Sequence, residues 1–124
     1  MGSTKLLGFG YQGDARGKVI VQDIANKYLS ILNASMVSDD GGAVDTGPLY
    51  EKGVPTMINL IEDNQSHDFY FSYHHSAGDS MTMMNPDLLD SNVVGVAVMF
   101  YILADLDNTI PRPQSSMLTS EWFI

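Results

Sequence analysis

The sequence predicts an α/β domain that is incomplete by itself. Two long stretches with helical spacing of apolar residues, near residues 14–32 and 86–106, flank two shorter extended stretches at 54–61 and 69–73. An order of helix, strand, strand and helix is typical of α/β proteins. Because two strands do not make a sheet that covers two helices, we expect the chain to be part of a larger domain.

The first helix is predicted from an apolar stripe. Its members recur near helical spacing: Ile20, Ile24, Tyr28 and Ile31. The glycine-rich residues 1–13 that precede it are predicted to be a loop. After a turn cluster at residues 38–43, a short helix is predicted to end at Gly53, a residue type that favours helix C-caps.

The two extended stretches differ in length and pattern. Residues 54–61 are predicted to form a buried strand, in which Pro55 fits only at the first positions. A polar loop follows, and residues 69–73 are predicted to be a second short strand.

The last helix has a clear N-terminal signal. Asn85 is a typical N-cap, Pro86 suits the first helical position, and Asp87 complements the positive end of the helix dipole. We expect its buried face to consist of large apolar residues: Leu89, Val93, Val96, Phe100, Leu103 and Leu106. Pro111 and Pro113 prevent any continuation.

Composition excludes several classes of function. Fifteen acidic residues against six basic ones give a net charge of −9, which argues against nucleic acid or an anionic membrane surface as partner. The chain has no cysteine, which excludes disulfides, thiolate zinc sites and cysteine nucleophiles. No apolar run reaches the ~18 residues that a membrane span needs, and the first ten residues lack the pattern of a signal peptide.

The chemistry concentrates in the segment around two neighbouring histidines. His74 and His75 follow the second predicted strand, where an α/β enzyme places metal ligands or acid/base groups. If the strand extends through them, their side chains point to opposite faces and only one enters a given site. A hydrogen-bonded structural histidine is the alternative. Asp79, across a Ser-Ala-Gly turn, could orient an imidazole or simply cap the turn.

The residues alone do not complete a metal site. A catalytic zinc needs three protein ligands, and a two-metal site needs more. The remaining histidine is His67, and Asp39, Asp40 and Asp45 are candidate carboxylates in a loop of a kind that is usually just solvated. There is no His-Glu-x-x-His pair, nucleophile elbow or phosphate-binding glycine loop.

Residues 71–86, which read Phe-Ser-Tyr-His-His-Ser-Ala-Gly-Asp-Ser-Met-Thr-Met-Met-Asn-Pro, resemble the last metal-binding segment of a known family. The family is the carboxypeptidase Q branch, also called plasma glutamate carboxypeptidase, of the di-zinc aminopeptidase and carboxypeptidase superfamily. The resemblance covers roughly residues 1–112, most specifically 41–90, and includes Asp-Thr-Gly-Pro-Leu-Tyr-Glu-Lys-Gly-Val-Pro at 45–55. Residues 113–124 have no match and are expected to be a flexible tail.

The resemblance implies the C-terminal part of an α/β/α sandwich with a mixed central sheet, whose complete domain holds two zinc ions bridged by a carboxylate and a water. His75 matches the final zinc ligand. His74 occupies the position of a donor that stabilises the oxyanion. Asp45 matches an aspartate near the pocket that is not a ligand, and Asp79 is expected to order the turn that carries His75.

The upstream ligands and the general base of this family are not found in the chain. We therefore expect the C-terminal portion of a metallo-exopeptidase that hydrolyses dipeptides or terminal peptide bonds, and no catalysis by these residues alone. The alternatives are a non-catalytic interaction module derived from this fold and an unrelated small α/β binding domain.

The resemblance also implies a setting for the complete protein. The family is secreted or lysosomal, acts on peptides and is often dimeric. Two sequons, at Asn33 and Asn64, suit glycosylation in that setting.

Overall fold

The structure is a computed structural model that describes residues 4–41, 44–62, 73 and 75–113. His74, Asn64, His67, most of the predicted strand at 69–73 and the predicted tail from residue 114 onward lie outside the described residues.

Three strands and three α-helices form the described fold. In chain order they are β1 (Leu6–Gln12), α1 (Ala15–Ile24), β2 (Met36–Ser38), α2 (Gly47–Tyr50), β3 (Thr56–Ile61) and α3 (Pro86–Ala104). A π-helical turn (Ala25–Leu29) and a 3-10 turn (Ser30–Leu32) continue α1, and a 3-10 turn (Met81–Met83) precedes α3.

The sheet is mixed, with strand order β2-β1-β3. β1 pairs with β2 in parallel, with Gly8 opposite Met36, and with β3 in antiparallel, with Gly10 opposite Ile58. Helices α1 and α3 contact each other and both contact β1. The predicted α/β class and the mixed sheet are confirmed, and the described sheet is small for two helices.

The prediction of a loop before the first helix is wrong, because residues 6–12 form the central strand. Glycines weakened the strand pattern in the sequence, yet here they let neighbouring backbone approach closely. A Cβ atom at Gly8 would collide with the carbonyl oxygen of Met36, and one at Gly10 would collide with that of Asp40. The segment therefore forms a strand because it has no side chains at these two positions.

The first predicted helix is confirmed as α1, which the π-helical and 3-10 turns continue to Leu32. Its predicted apolar stripe is wrong in its second half, because Tyr28 and Ile31 are 43% and 86% exposed. Asp14 is the N-cap of α1, and its carboxylate accepts a hydrogen bond of 2.9 Å from the backbone N–H of Arg16. The helical run ends at Leu32, where Asn33 adopts a left-handed conformation with φ 53°. The short helix before Gly53 and the strand after Pro55 are also confirmed, as α2 and β3.

The start of α3 is confirmed, and its predicted buried face is wrong only in part, because Val96 and Leu103 are partly buried against the core as expected. The Asn85 side chain accepts hydrogen bonds from the N–H groups of Asp87 and Leu88, at 3.0 and 3.2 Å. The residues buried in α3 are Asn92, Gly95 and Met99. Val93 and Phe100, which we expected in the core, are 56% and 57% exposed.

A small residue explains which side of α3 faces the sheet. Gly95 lies against the side chain of Leu6 on β1, so the helix makes its closest approach to the sheet where it has no side chain. Contact through Gly95 buries the residues on the same line of the helix, Asn92 and Met99. The bulkier residues on the opposite side then face away from the sheet.

The core lies between β1 and the two long helices. Its buried residues come from each of these elements and from the turns after α1: Leu6, Phe9, Tyr11, Val21, Ile24, Ala25, Leu29, Ala34 and Met99. By length and composition, α3 could also cross a membrane, since it has 19 residues and a mean hydropathy of 1.6. This is weak evidence, because the core helices of water-soluble proteins meet the same criteria.

Candidate functional site

His75 lies in a tight turn that leads toward α3. Its backbone is left-handed, with φ 54°, and its side chain is exposed. The N–H of Ser76 donates to the carbonyl of Tyr73 at 3.0 Å, and the N–H of Asp79 donates to the carbonyl of Ser76 at 3.1 Å. The imidazole is thus presented outside the core, on a backbone held by two consecutive turns.

The Ser76 hydroxyl connects these turns. It donates to the Tyr73 carbonyl at 2.7 Å and accepts from the N–H of Gly78 at 3.2 Å. Gly78 lies against the Tyr73 ring, where a Cβ atom would come within 2.9 Å of Cδ1. Ser76 is not among the residues predicted for the site, although a serine two residues before a glycine is a known turn signal.

Asp79 contributes its backbone N–H to the turn. Its side chain is exposed and makes no hydrogen bond or ion pair with the described residues. The roles predicted for its carboxylate, orienting an imidazole or ordering the turn, therefore stay predictions.

Asp45 lies in an exposed turn that precedes α2. The loop before it is anchored at the carboxyl ends of the parallel strands β1 and β2. Gly41 is buried against the backbone of Gln12, and the buried hydroxyl of Thr56 donates to the Gly41 carbonyl at 3.1 Å. Open α/β sheets bind ligands at this edge, and the pocket role of Asp45 stays a prediction.

Two other carboxylates at this edge are already engaged. Asp14 caps α1 and accepts from the Arg16 side chain at 2.9 and 3.1 Å. These side-chain hydrogen bonds, with the backbone bond from Arg16, hold the pKa of Asp14 below its usual value. Asp39 pairs with Lys18. Both carboxylates therefore have structural or surface roles.

The described residues do not form a zinc site. No group of three or more His, Asp or Glu side chains within the described ranges is close enough to hold a metal ion. His74, the proposed neighbour of any ligand set, lies outside the described residues.

Asn33, the first sequon asparagine, is exposed at the end of the helical run that follows α1. Its backbone N–H donates to the carbonyl of Ser30 at 2.9 Å. The side chain is therefore accessible at a chain reversal. Asn64 lies outside the described residues.

Comparison with curated proteins finds relatives that all have one name. The chain is 32% identical over 105 residues to carboxypeptidase Q of Bos taurus and of Mus musculus, and 30% identical over the same length to that of Homo sapiens. Each alignment covers 85% of this chain and 21% of the relative. No protein-family model and no solved structure matches the chain.

The resemblance to carboxypeptidase Q is thereby confirmed. Any stretch of 105 residues in a chain of 124 includes the histidine turn, Asp45 and α3. The chain spans about a fifth of the length of the curated relatives that it matches.

Proposed function

We propose, starting from the relationship of this chain to carboxypeptidase Q, that it forms part of a metallo-exopeptidase domain that hydrolyses dipeptides or terminal peptide bonds. The observation that carries the proposal is His75, the residue matched to the final metal ligand, held in an exposed turn with a left-handed backbone. Strained residues of this kind cost about 1–3 kcal/mol and cluster at functional sites.

We assign His75 the role of a metal ligand and His74 that of a donor to the oxyanion that forms during peptide hydrolysis. Ser76 positions His75 through the hydrogen bonds of the turn. Asp45 forms part of the pocket wall. Asp79 acts on the turn or on the imidazole orientation.

Zinc, when bound, would supply an activated water molecule for attack on the peptide carbonyl. The described residues do not provide enough ligands for it. The other ligands and the general base must therefore come from residues outside them.

The resemblance also supports proposals on the setting of the complete protein. We propose a secreted or lysosomal protein that is glycosylated at Asn33 and Asn64 and forms a homodimer at full length. The exposed position of Asn33 is compatible with a glycan.

The test uses a hybrid in which residues of this chain replace the matched region of bovine carboxypeptidase Q. We expect the hybrid to hold about two zinc ions and to cleave dipeptides, and the isolated chain to do neither. His75→Ala and His75→Gly should both lose zinc and activity in the hybrid. Zinc content by mass spectrometry and dipeptide turnover are the measurements.

The two substitutions at His75 separate binding from folding. Glycine adopts a left-handed backbone without steric cost. The free energy of unfolding of His75→Gly should therefore equal that of the parent or exceed it by up to ~1 kcal/mol, whereas that of His75→Ala should not rise. His67→Ala is the matched histidine control and should keep zinc. Full zinc content and activity in either His75 variant would end the ligand assignment.

The second candidate is a non-catalytic interaction module derived from this fold. An exposed apolar side of α3 and the incomplete ligand set of the described residues favour it. If the hybrid neither binds zinc nor cleaves dipeptides, and the isolated chain melts cooperatively with no response to a chelator, this candidate replaces the peptidase.

A further inference from the structure

One side of α3 is apolar and exposed, opposite the line through Gly95 that packs on the sheet. The α3 face, as we call it, consists of Val93, Val94, Ala97, Phe100 and Tyr101. The exposed fractions of its bulky members are 56%, 48%, 57% and 73%. Together these side chains expose on the order of 400 Å². This is the size of the largest apolar patch on a typical monomeric protein, and such patches are often functional.

Two grooves run beside the α3 face. One, with a volume of about 250 Å³, is lined by Leu89, Val93, Val96 and Ala97 together with Asn92. The other, of about 710 Å³, lies between Tyr28 of the π-helical turn and the second half of α3, including Ala97, Val98 and Tyr101. A ridge between two apolar grooves is the shape against which another helix or strand layer packs.

Charge restricts what can cover this face. The chain has no lysine or arginine between Lys52 and Arg112, while Asp87 and Asp90 lie at one end of α3 and Asp105 at the other. Two copies paired through this face would bring these carboxylates together at a net charge of −9 each. Asp90, which lies within the helix itself, opposes insertion into a membrane. A complementary surface has apolar residues in its centre and basic residues at its margins.

We propose that the α3 face is the docking surface for the polypeptide that makes up the other four fifths of a protein of carboxypeptidase Q length. The chain matches only 21% of that length, so most of the relatives' polypeptide has no counterpart here. Apolar side chains of that polypeptide cover residues 93–101, and its Lys or Arg side chains lie near Asp90 and Asp105. This inference rests on the proposed peptidase domain and names its internal contact.

The chain has no cysteine, so single cysteines can report on accessibility. Tyr101→Cys probes the α3 face, and Val19→Cys, at a residue 60% exposed on α1, is the matched control. Each variant is made in the isolated chain and in the hybrid with bovine carboxypeptidase Q, and its alkylation rate is measured by peptide mass spectrometry. We expect fast labelling at both positions in the isolated chain. In the hybrid the rate should fall at least tenfold for Tyr101→Cys and less than twofold for Val19→Cys.

In the hybrid, an unchanged alkylation rate at position 101, or equal protection at positions 101 and 19, would overturn the proposal. In the isolated chain, protection of position 101 that rises with protein concentration would overturn it and identify a second copy as the occupant. Protection of the isolated chain by phosphatidylcholine vesicles would overturn it and identify a lipid surface.

Met99→Cys, at a fully buried position, checks that the isolated chain is folded. If Met99→Cys reacts as fast as Tyr101→Cys in the isolated chain, that chain is not folded. The comparison of Tyr101→Cys with Val19→Cys in the hybrid then tests the proposal without it. The readout needs neither zinc nor hydrolysis. If position 101 is protected in a hybrid that binds no zinc, the docking surface stands and the proposed peptidase function falls. If the hybrid binds zinc and hydrolyses dipeptides but position 101 is not protected, the peptidase function stands and the docking surface falls.

Discussion

At the scale of single residues, the turn at His75 joins a sequence motif to a backbone conformation. The resemblance matched His75 to a metal ligand, but the sequence did not predict its left-handed backbone. The hydrogen bonds that Ser76 makes to Tyr73 and Gly78 lie beside that conformation in the same turn. A change at Ser76 is therefore expected to act on His75 through the turn.

Tyr11 is a second residue whose environment only the structure shows. Its hydroxyl is buried without a hydrogen-bond partner among the described residues and lies against Gly17, where no side chain competes for the space. Burial, with smaller contributions from Asp14 and Tyr50, raises the pKa of Tyr11 from 10.0 to about 12.

This pKa makes stability depend on alkaline pH. The unfolded chain ionises at Tyr11 from pH 10 upward while the folded chain keeps the phenol neutral, so this contribution is present below pH 10 and is lost between pH 10 and about 12. Tyr11→Phe should raise the free energy of unfolding at pH 7 by about 1 kcal/mol, because it removes a hydroxyl that is buried without a partner among the described residues. The free energy of unfolding of this variant should also decline less at high pH than that of the parent. Urea unfolding from pH 7 to 11 measures both.

Tyr101→Phe is the control for that comparison, because Tyr101 is 73% exposed. It should follow the parent at every pH. An alkaline decline in Tyr11→Phe as steep as that of the parent would contradict the assignment.

At the scale of elements, β1 is a strand whose sequence pattern predicts a loop, because close packing requires glycines in it. Its glycines read as a loop, yet Gly8 and Gly10 admit the backbone of Met36 and Asp40 against the strand. The strand is central in the sheet, so its formation depends on partners that are distant in sequence.

Gly10→Ala should be destabilising, because its Cβ would meet a backbone carbonyl that cannot rotate away. We expect a loss of about 2–3 kcal/mol in the free energy of unfolding, in the range of overpacked cores. Gly47→Ala is the matched control, since no atom lies within 4 Å of its added Cβ, and it should be neutral or slightly stabilising. Urea denaturation of the three proteins decides, and similar midpoints for Gly10→Ala and the parent would refute the packing explanation.

The helices show the opposite situation, since local signals defined their ends. Asn85 caps α3 as its sequence context indicates, and the structure shows Asp14 in the same role at the start of α1. The apolar stripe of α3, however, extends around much of the helix, so the largest residues did not identify the buried line. Gly95 did, through its contact with Leu6.

At the scale of the whole molecule, two long helices lie against a three-stranded sheet, and one of them leaves an apolar face uncovered by the described residues. This arrangement agrees with relatives that are much longer than the chain. Among the described residues, no group of three or more His, Asp or Glu side chains could hold a metal ion.

Charge is the other property of the whole molecule with a measurable consequence. A net charge of −9 repels itself in the compact state, so screening by salt should stabilise the fold. Raising potassium chloride from about 20 to about 500 mM should increase the melting temperature by roughly 4 °C, equivalent to ~1 kcal/mol. Calorimetry at pH 7 measures the shift.

The effect should shrink as the pH approaches the isoelectric point of about 4.3, because protonation removes the excess carboxylates. A melting temperature that falls with salt at pH 7 would show that attractive ion pairs outweigh the repulsion.

The sequence by itself determined the α/β class, the two long helices and the cap of the second one, the strand after Pro55 and the relationship carried by the histidine segment. These features rest on local patterns that a few neighbouring residues encode. Only the tertiary structure decided that the glycine-rich start is the central strand, which side of α3 is buried and how the backbone presents His75. The first two depend on contacts between residues that are far apart in the chain. The third depends on the backbone geometry of a turn in which the Ser76 hydroxyl makes two hydrogen bonds.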